Sequence, residues 1–371
     1  MIIEKVAADG YKNLSDIEIF PDSGINILVG DNAQGKTNLI EALWLCTGVR
    51  SFRATRDKDI IGFDKERAHI SLDFRDSERV QNIDISVTRK SVKDKEIRLN
   101  GVPLPLISKL FGSLCCVVFT PDDLQITKGP PDRRRSFTDM CASQLKRSFV
   151  WALNRYDDML SQRNALIKDV NFGAAGKDQF GIWDEQIAAC GAYITVVRNI
   201  YIRSLAKQAT EIYSRLCKDE ELGLSYYSSI YGDTESIGAD YEGELKEYYY
   251  SRLCESLDDD LRAGYTVHGI HRDDFVIKIN DLSVRDLGSQ GQQRSAALVL
   301  KLAQARMIKD QLGEAPVMML DDVLSELDPV RQRFVLENIE DMQVFITACD
   351  DRNIDTHGKI FHIRSGRIEN N

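Results

Sequence analysis

Apolar and polar positions along this chain change their rhythm more than once. In the first third they come in short runs, which predicts strands and hairpins. Ile2 to Ala8, Ile17 to Phe20, His69 to Phe74 and Ile83 to Thr88 read as strands, and Asn100-Gly101 is a two-residue hairpin turn. Ile25-Asn26-Ile27-Leu28-Val29 is a short apolar strand ending in glycine, and Leu39 to Thr47 reads as the helix after it. Leu114 to Thr120 predicts a buried strand closed by Pro121. From about 131 to 220 the period becomes helical, broken by the Gly-rich turn Asn171 to Gly176. A strand near Leu222 to Tyr227 and a helix near Glu242 to Arg262 follow. Beyond that, Phe275 to Ile279, Val317 to Leu320 and Val344 to Thr347 are short apolar runs between helices. Such alternation means an α/β sheet. The simplest organisation is one sheet domain from residues 1–125 and 262–371, interrupted by a mainly helical insertion, 126–261.

Composition first argues against one class of partner. The 371 residues carry 48 Lys and Arg against 58 Asp and Glu, a net charge of −10. A phosphate binder usually has a basic surplus. Residues 211–260, however, hold 14 acids and 4 bases, so they account for the whole −10 and the remainder sums to zero. We expect that acidic window to face away from any DNA. Residues 127–147 are locally basic, with Lys128, Arg133, Arg134, Arg135, Lys146 and Arg147 against Asp132 and Asp139; Arg50, Arg53 and Arg56 form a second cluster. No run approaches the roughly 18 apolar residues that span a bilayer. MIIEKVAADG lacks the features of a signal peptide, and eight cysteines form no CxxC pair. A cytoplasmic protein with reduced thiols is expected.

Gly30-Asp31-Asn32-Ala33-Gln34-Gly35-Lys36-Thr37 fits G-x-x-x-x-G-K-[ST], with an apolar strand before it and a helix after. The glycines let successive N–H groups point into one concavity, and the helix adds its positive end. These eight residues are candidate nucleotide ligands. Lys36 can reach the β- and γ-phosphates of ATP, and Thr37 can place its hydroxyl on Mg²⁺. A plain Gly-rich turn is the alternative, so partner motifs must discriminate.

Pro316-Val317-Met318-Met319-Leu320-Asp321-Asp322 is an apolar strand ending in two acids. Strand carboxyl ends face the ligand crevice of an α/β sheet. Asp321 would help hold Mg²⁺, and Asp322 could orient or deprotonate a water, the candidate catalytic role. Leu287 to Arg294 is a small Ser/Gly/Gln-rich loop opening an apolar helix, Ser295 to Ile308. It is readable as an anion-binding helix start or as simple capping by Ser289.

Here the residues carry a resemblance. Ser289-Gln290-Gly291-Gln292 resembles the signature loop of ABC-type ATPases, and Val323-Leu324-Ser325-Glu326-Leu327-Asp328 resembles their D-loop. The order of motifs is that of an SMC-like head. Gly288 to Arg294 with Ala296-Ala297-Leu298, Leu320 to Asp328, Phe119-Thr120-Pro121-Asp122-Asp123-Leu124, His271-Arg272-Asp273-Asp274 and Arg50 to Asp57 resemble the bacterial RecF family over nearly the whole chain. The resemblance implies an ABC-type ATPase head built from both chain ends, without a long coiled coil. It implies a slow, DNA-stimulated ATPase that dimerises on ATP, binds single- and double-stranded DNA at gaps, and works with RecO and RecR to load RecA. Ser289, Gly291, Gln292 and Asp328 would join the phosphate loop as nucleotide contacts, with Ser289 reaching the γ-phosphate held by a second copy. There are departures. Ile270 stands where proline is expected before His271, and Ile346-Thr347-Ala348-Cys349-Asp350 has no switch histidine.

The nine basic residues named above are the DNA-contact candidates, each also readable as solvated surface. Arg133, Arg134 and Arg135 cannot share one helix face, so at least one is expected to make an ion pair. The rival reading is the ATPase subunit of a membrane transporter, which uses the same three motifs. A purely architectural clamp is a third.

Overall fold

The computed structural model describes residues 1–49, 57–89, 95–235, 237–238, 242–350 and 358–369. Its chain forms two compact units, Met1–Asp123 with Leu298–Asn371, and Leu124–Ala297.

The first unit holds two sheets. One is antiparallel: Ile17–Ile19, Ile2–Asp9, Arg67–Arg75, Val80–Thr88, Lys95–Leu99 and Val102–Leu104, in that spatial order. Arg67–Arg75 alternates buried and partly exposed positions, as a sheet with one covered face requires. Asn100 and Gly101 both take positive φ, 52° and 76°, the geometry of a two-residue hairpin turn.

The other sheet positions the chemistry. Lys359–Arg364, Ile25–Val29, Val344–Ala348, Val317–Leu320 and Cys116–Phe119 lie side by side and parallel, with Arg367–Ile368 added antiparallel at one edge. Val317–Leu320 and Cys116–Phe119 are buried throughout, which explains their unbroken apolar runs. The register pairs Ala348 with Val29, and Leu320 with both Ile346 and Phe119. Gly30, Asp321 and Cys349 therefore emerge at one end of neighbouring strands.

The second unit contains the long helices Pro131–Leu145, Arg147–Asn171 and Phe180–Leu216, then Glu242–Glu255 and Leu257–Ala263. It also has its own sheet, in which Asp274–Ile279 pairs along its length with Leu222–Ser228. That ladder corrects the expected boundary at 261/262. Residues 262–297 belong with the inserted unit, because their strand is hydrogen-bonded there and not to the parallel sheet. The boundary instead falls within the helix Gln290–Leu312.

Candidate functional site

The phosphate loop follows Val29 and runs into the helix Lys36–Leu45. Two glycines are required by geometry. A Cβ on Gly30 would stand 2.3 Å from the Ile363 carbonyl oxygen, and Gly35 has φ 117°. The helix has no side-chain cap and no acid in its first turn, so its N-terminal N–H groups and positive dipole end suit an anion. Lys36 is 4% exposed, and its ammonium donates to the Gly30 and Asp31 carbonyls at 2.5 and 3.0 Å. The charge thus sits inside the curve of the loop.

Side chains distant in sequence brace this curve. Asn13 donates to the Ala33 carbonyl at 3.0 Å and accepts from Asn38 at 2.7 Å. Gln34 accepts from the Ser365 N–H, and its carbonyl accepts from Gly366. Asn32 accepts from the Cys349 thiol at 3.2 Å. No periodicity marks Asn13 or Cys349; only the fold brings them to the loop.

Thr37 donates to Asp321 Oδ1 at 2.8 Å. A hydroxyl and a carboxylate so placed suit Mg²⁺, which takes hard oxygen ligands and usually needs only one or two carboxylates beside phosphates and water. Among the described residues no group of three His, Cys, Asp or Glu side chains could hold a metal alone. Asp322 follows with φ 56°, a left-handed conformation rare for a non-glycine residue. Its N–H donates to Thr347 Oγ1 at 2.8 Å, and its carbonyl accepts from Ser325 at 2.7 Å. A cavity of about 280 Å³ reaches Asp322, Thr347 and Cys349, so the candidate water-handling carboxylate is open to water.

The signature loop forms a capping box. The Ser289 N–H donates to Gln292 Oε1 at 2.9 Å, and the Gln292 N–H donates back to Ser289 Oγ at 3.2 Å. The capping reading of Ser289 therefore holds, and its hydroxyl proton is still available for a phosphate oxygen. Gln292 also donates to Glu220 Oε1 at 2.8 Å. One acid of the 211–260 window, Glu220, therefore sits beside the signature loop. Asp260, from the same window, is fully buried against Arg163 at 2.6 Å. Asp328 caps the helix Pro329–Asn338, accepting from Val330 and Arg331. The Arg331 backbone hydrogen bond, ahead of its guanidinium, holds the Asp328 carboxyl below its usual range.

The basic candidates separate by burial. Along Pro131–Leu145 the residues Arg134, Phe137, Thr138 and Cys141 are buried, the i, i+3, i+4, i+7 stripe of an inward helix face. Arg134 lies on that stripe. It is 3% exposed, grips Asp274 through two hydrogen bonds of 2.6 and 2.8 Å, and donates to the Gly129 carbonyl. It is an internal ion pair and not a DNA contact, which corrects its candidacy and meets the expectation for the arginine triplet. Arg135 is half-buried and donates to the Asp273 carbonyl at 2.8 Å. Lys128, Arg133, Lys146 and Arg147 are exposed. Arg50, Arg53 and Arg56 lie outside the described residues.

A parallel sheet carrying a phosphate loop, a strand-end acid pair and a serine-capped signature helix defines an ABC-type ATPase head of the SMC kind. Comparison agrees. Residues 2–369 match the profile of the RecF/RecN/SMC N terminal domain. A relative from Alkaliphilus oremlandii, called DNA replication and repair protein RecF, is 34% identical with both chains fully covered. Another so called, from Clostridium tetani, is 35% identical, again over the whole of both. A solved structure described as the recombination mediator protein RecF-ATPrS in RecFOR pathway superposes with a TM-score of 0.92 at 34% identity, covering 99% of this chain and 97% of that one. An Smc head from Pyrococcus furiosus, at 17% identity and a TM-score of 0.54, shares the fold. The chain belongs to the RecF/RecN/SMC family and, within it, to the RecF proteins.

Proposed function

We propose that this chain is an ATP-dependent DNA-binding protein of recombinational repair and replication restart, acting in the cytoplasm. The observation that carries the reading is the 2.8 Å contact between Thr37 and Asp321, which unites the phosphate loop with the acid-ended strand. The relatives' names tie RecF to DNA replication and repair, and the solved structures place RecF with ATP and in the RecFOR pathway.

In this reading the loop N–H groups and Lys36 hold the phosphates of ATP. Thr37 and Asp321 hold Mg²⁺, which when bound neutralises charge on the phosphate oxygens. Asp322 orients the attacking water. Ser289 of a second copy approaches the γ-phosphate, so nucleotide binding joins two copies. Lys128, Arg133, Arg135, Lys146 and Arg147 offer charge to DNA phosphates, which would bring little base specificity and strong salt dependence. Partners of the RecO and RecR kind, and loading of RecA onto gapped DNA, complete the reading. Nothing in the fold or the comparisons favours a transporter subunit, and among the described residues no helix is long and apolar enough to cross a membrane.

The test is binding of the purified protein to gapped DNA, with and without ATP, across a salt series. Binding that needs ATP and weakens steeply with salt supports the proposal. Absence of binding at low salt would sink it.

A further inference from the structure

Thr347 stands between the two acids. Its Oγ1 is 3.0 Å from Asp321 Oδ1, 3.3 Å from Asp322 Oδ1 and 2.8 Å from the Asp322 N–H, and the residue is 4% exposed. A threonine hydroxyl has one proton to give. The Asp322 N–H occupies one of its lone pairs, so the oxygen is fixed in place while the proton has two carboxylates to choose between. The Thr37 hydroxyl donates to that same Asp321 oxygen at 2.8 Å.

We infer that Thr347 is a positioning residue that couples the metal-binding carboxylate to the water-handling one; this rests on the ATPase reading above. A divalent cation held at Asp321 would make that carboxylate a poorer acceptor for the Thr347 hydroxyl. Thr347 then turns its proton to Asp322 Oδ1 and fixes the carboxylate's rotation. The same N–H contact braces the left-handed backbone of Asp322. Occupancy at Asp321 and orientation at Asp322 become linked through one hydroxyl, and such linkage is reciprocal.

The experiment is a double-mutant cycle on the full chain: the unmodified protein, Thr347→Val, Asp322→Asn and the double variant. Fluorescence of bound methylanthraniloyl-ATP is followed as Mg²⁺ is added, with melting curves as a check on folding. Asp322→Asn is expected to move the Mg²⁺ midpoint at least about threefold more with threonine at 347 than in the Thr347→Val background. ATP turnover of Thr347→Val should fall about tenfold to a hundredfold with little change in KM. Thr347→Ser, which keeps the hydroxyl, should restore both properties, and Thr347→Ala, which also lacks the hydroxyl, carries the comparison if Thr347→Val does not fold. Equal Mg²⁺ shifts in the two backgrounds, or a serine variant as slow as the valine one, would overturn the inference while leaving the ATPase reading intact. Failure of the unmodified protein to bind the labelled ATP would overturn both.

Discussion

Thr37 gives its hydroxyl proton to Asp321 across 2.8 Å, joining positions 284 residues apart in sequence. One is the second residue of the helix Lys36–Leu45, and the other directly follows Val317–Leu320, two strands away from Ile25–Val29 in the parallel sheet. The contact exists because parallel pairing aligns the carboxyl ends of Ile25–Val29, Val344–Ala348 and Val317–Leu320. Each flanking residue then has a distinct task. Lys36 supplies charge, and Asp322, turned by its left-handed backbone, faces the cavity.

That division of labour separates binding from hydrolysis. Lys36→Met removes the only charge the loop's own lysine brings into the curve, so ATP affinity should fall by about a hundredfold, a loss of about 3 kcal/mol, and tight DNA binding should go with it. Asp322→Asn should keep ATP-dependent pairing and slow turnover by about a hundredfold or more. Isothermal titration and a phosphate-release assay check the two. Wild-type turnover in Asp322→Asn would refute the role given to Asp322.

Neighbouring arginines on one helix should behave oppositely. Arg134→Ala leaves Asp274 partly buried without its bidentate partner, at a cost of about 3–5 kcal/mol and with a visibly lower melting temperature. Arg133→Ala touches an exposed side chain and should change stability by under about 0.5 kcal/mol. If Arg133 meets DNA, its loss should instead lower the salt slope of binding by about one. Denaturant melts and salt-dependent binding curves distinguish these outcomes.

His271 should make the second unit acid-sensitive. A chain of hydrogen bonds joins the Ile270 N–H, Tyr249, Tyr156, His271 and the Thr266 carbonyl. A carbonyl only accepts, so His271 Nε2 carries a proton, and with the imidazole neutral Nδ1 accepts from Tyr156 and Tyr156 from Tyr249. Protonation would make Nδ1 a donor and reverse the tyrosine hydrogen bonds, leaving the Tyr249 hydroxyl proton without its acceptor in the chain. Burial, and then the positive charges of Arg272, Arg135 and Arg198, push the His271 pKa down to about 4, against the hydrogen bond to Thr266. The unfolded histidine takes its proton near pH 6.5, so the unfolded state gains first as pH falls. This contribution is full above about pH 6.5, erodes toward pH 4, and totals about 3 kcal/mol. Stability measured between pH 7 and 5 should fall less steeply in His271→Gln than in the unmodified protein. Identical slopes would contradict the assignment.

The phosphate loop, the acid-ended strand and the signature helix were legible because each is a local pattern with a fixed spacing. The residues that brace them were not. Asn13 reaches Ala33, and Cys349 reaches Asn32, only because separate strands end at one place. In sequence the segment around Thr347 stands out only for the histidine it lacks, and the contacts of Thr347 with Asp321 and Asp322 exist only in the fold. The boundary at 261/262 was misplaced for a related reason: Phe275 to Ile279 looks the same whether its strand joins a parallel core or pairs with Leu222–Ser228. A window sum of charge likewise says nothing of where each acid lies. Asp260 is buried in an ion pair with Arg163, and Glu220 is tied to Tyr213 and Gln292.

Sedimentation of the purified chain with and without ATP, in the presence and absence of gapped DNA, tests the central claim most directly. A monomer that becomes a dimer with ATP, carries DNA as that dimer, and fails to do so after Lys36→Met is the expected result. A protein whose mass is unchanged by ATP, or whose DNA binding survives Lys36→Met undiminished, would contradict the account.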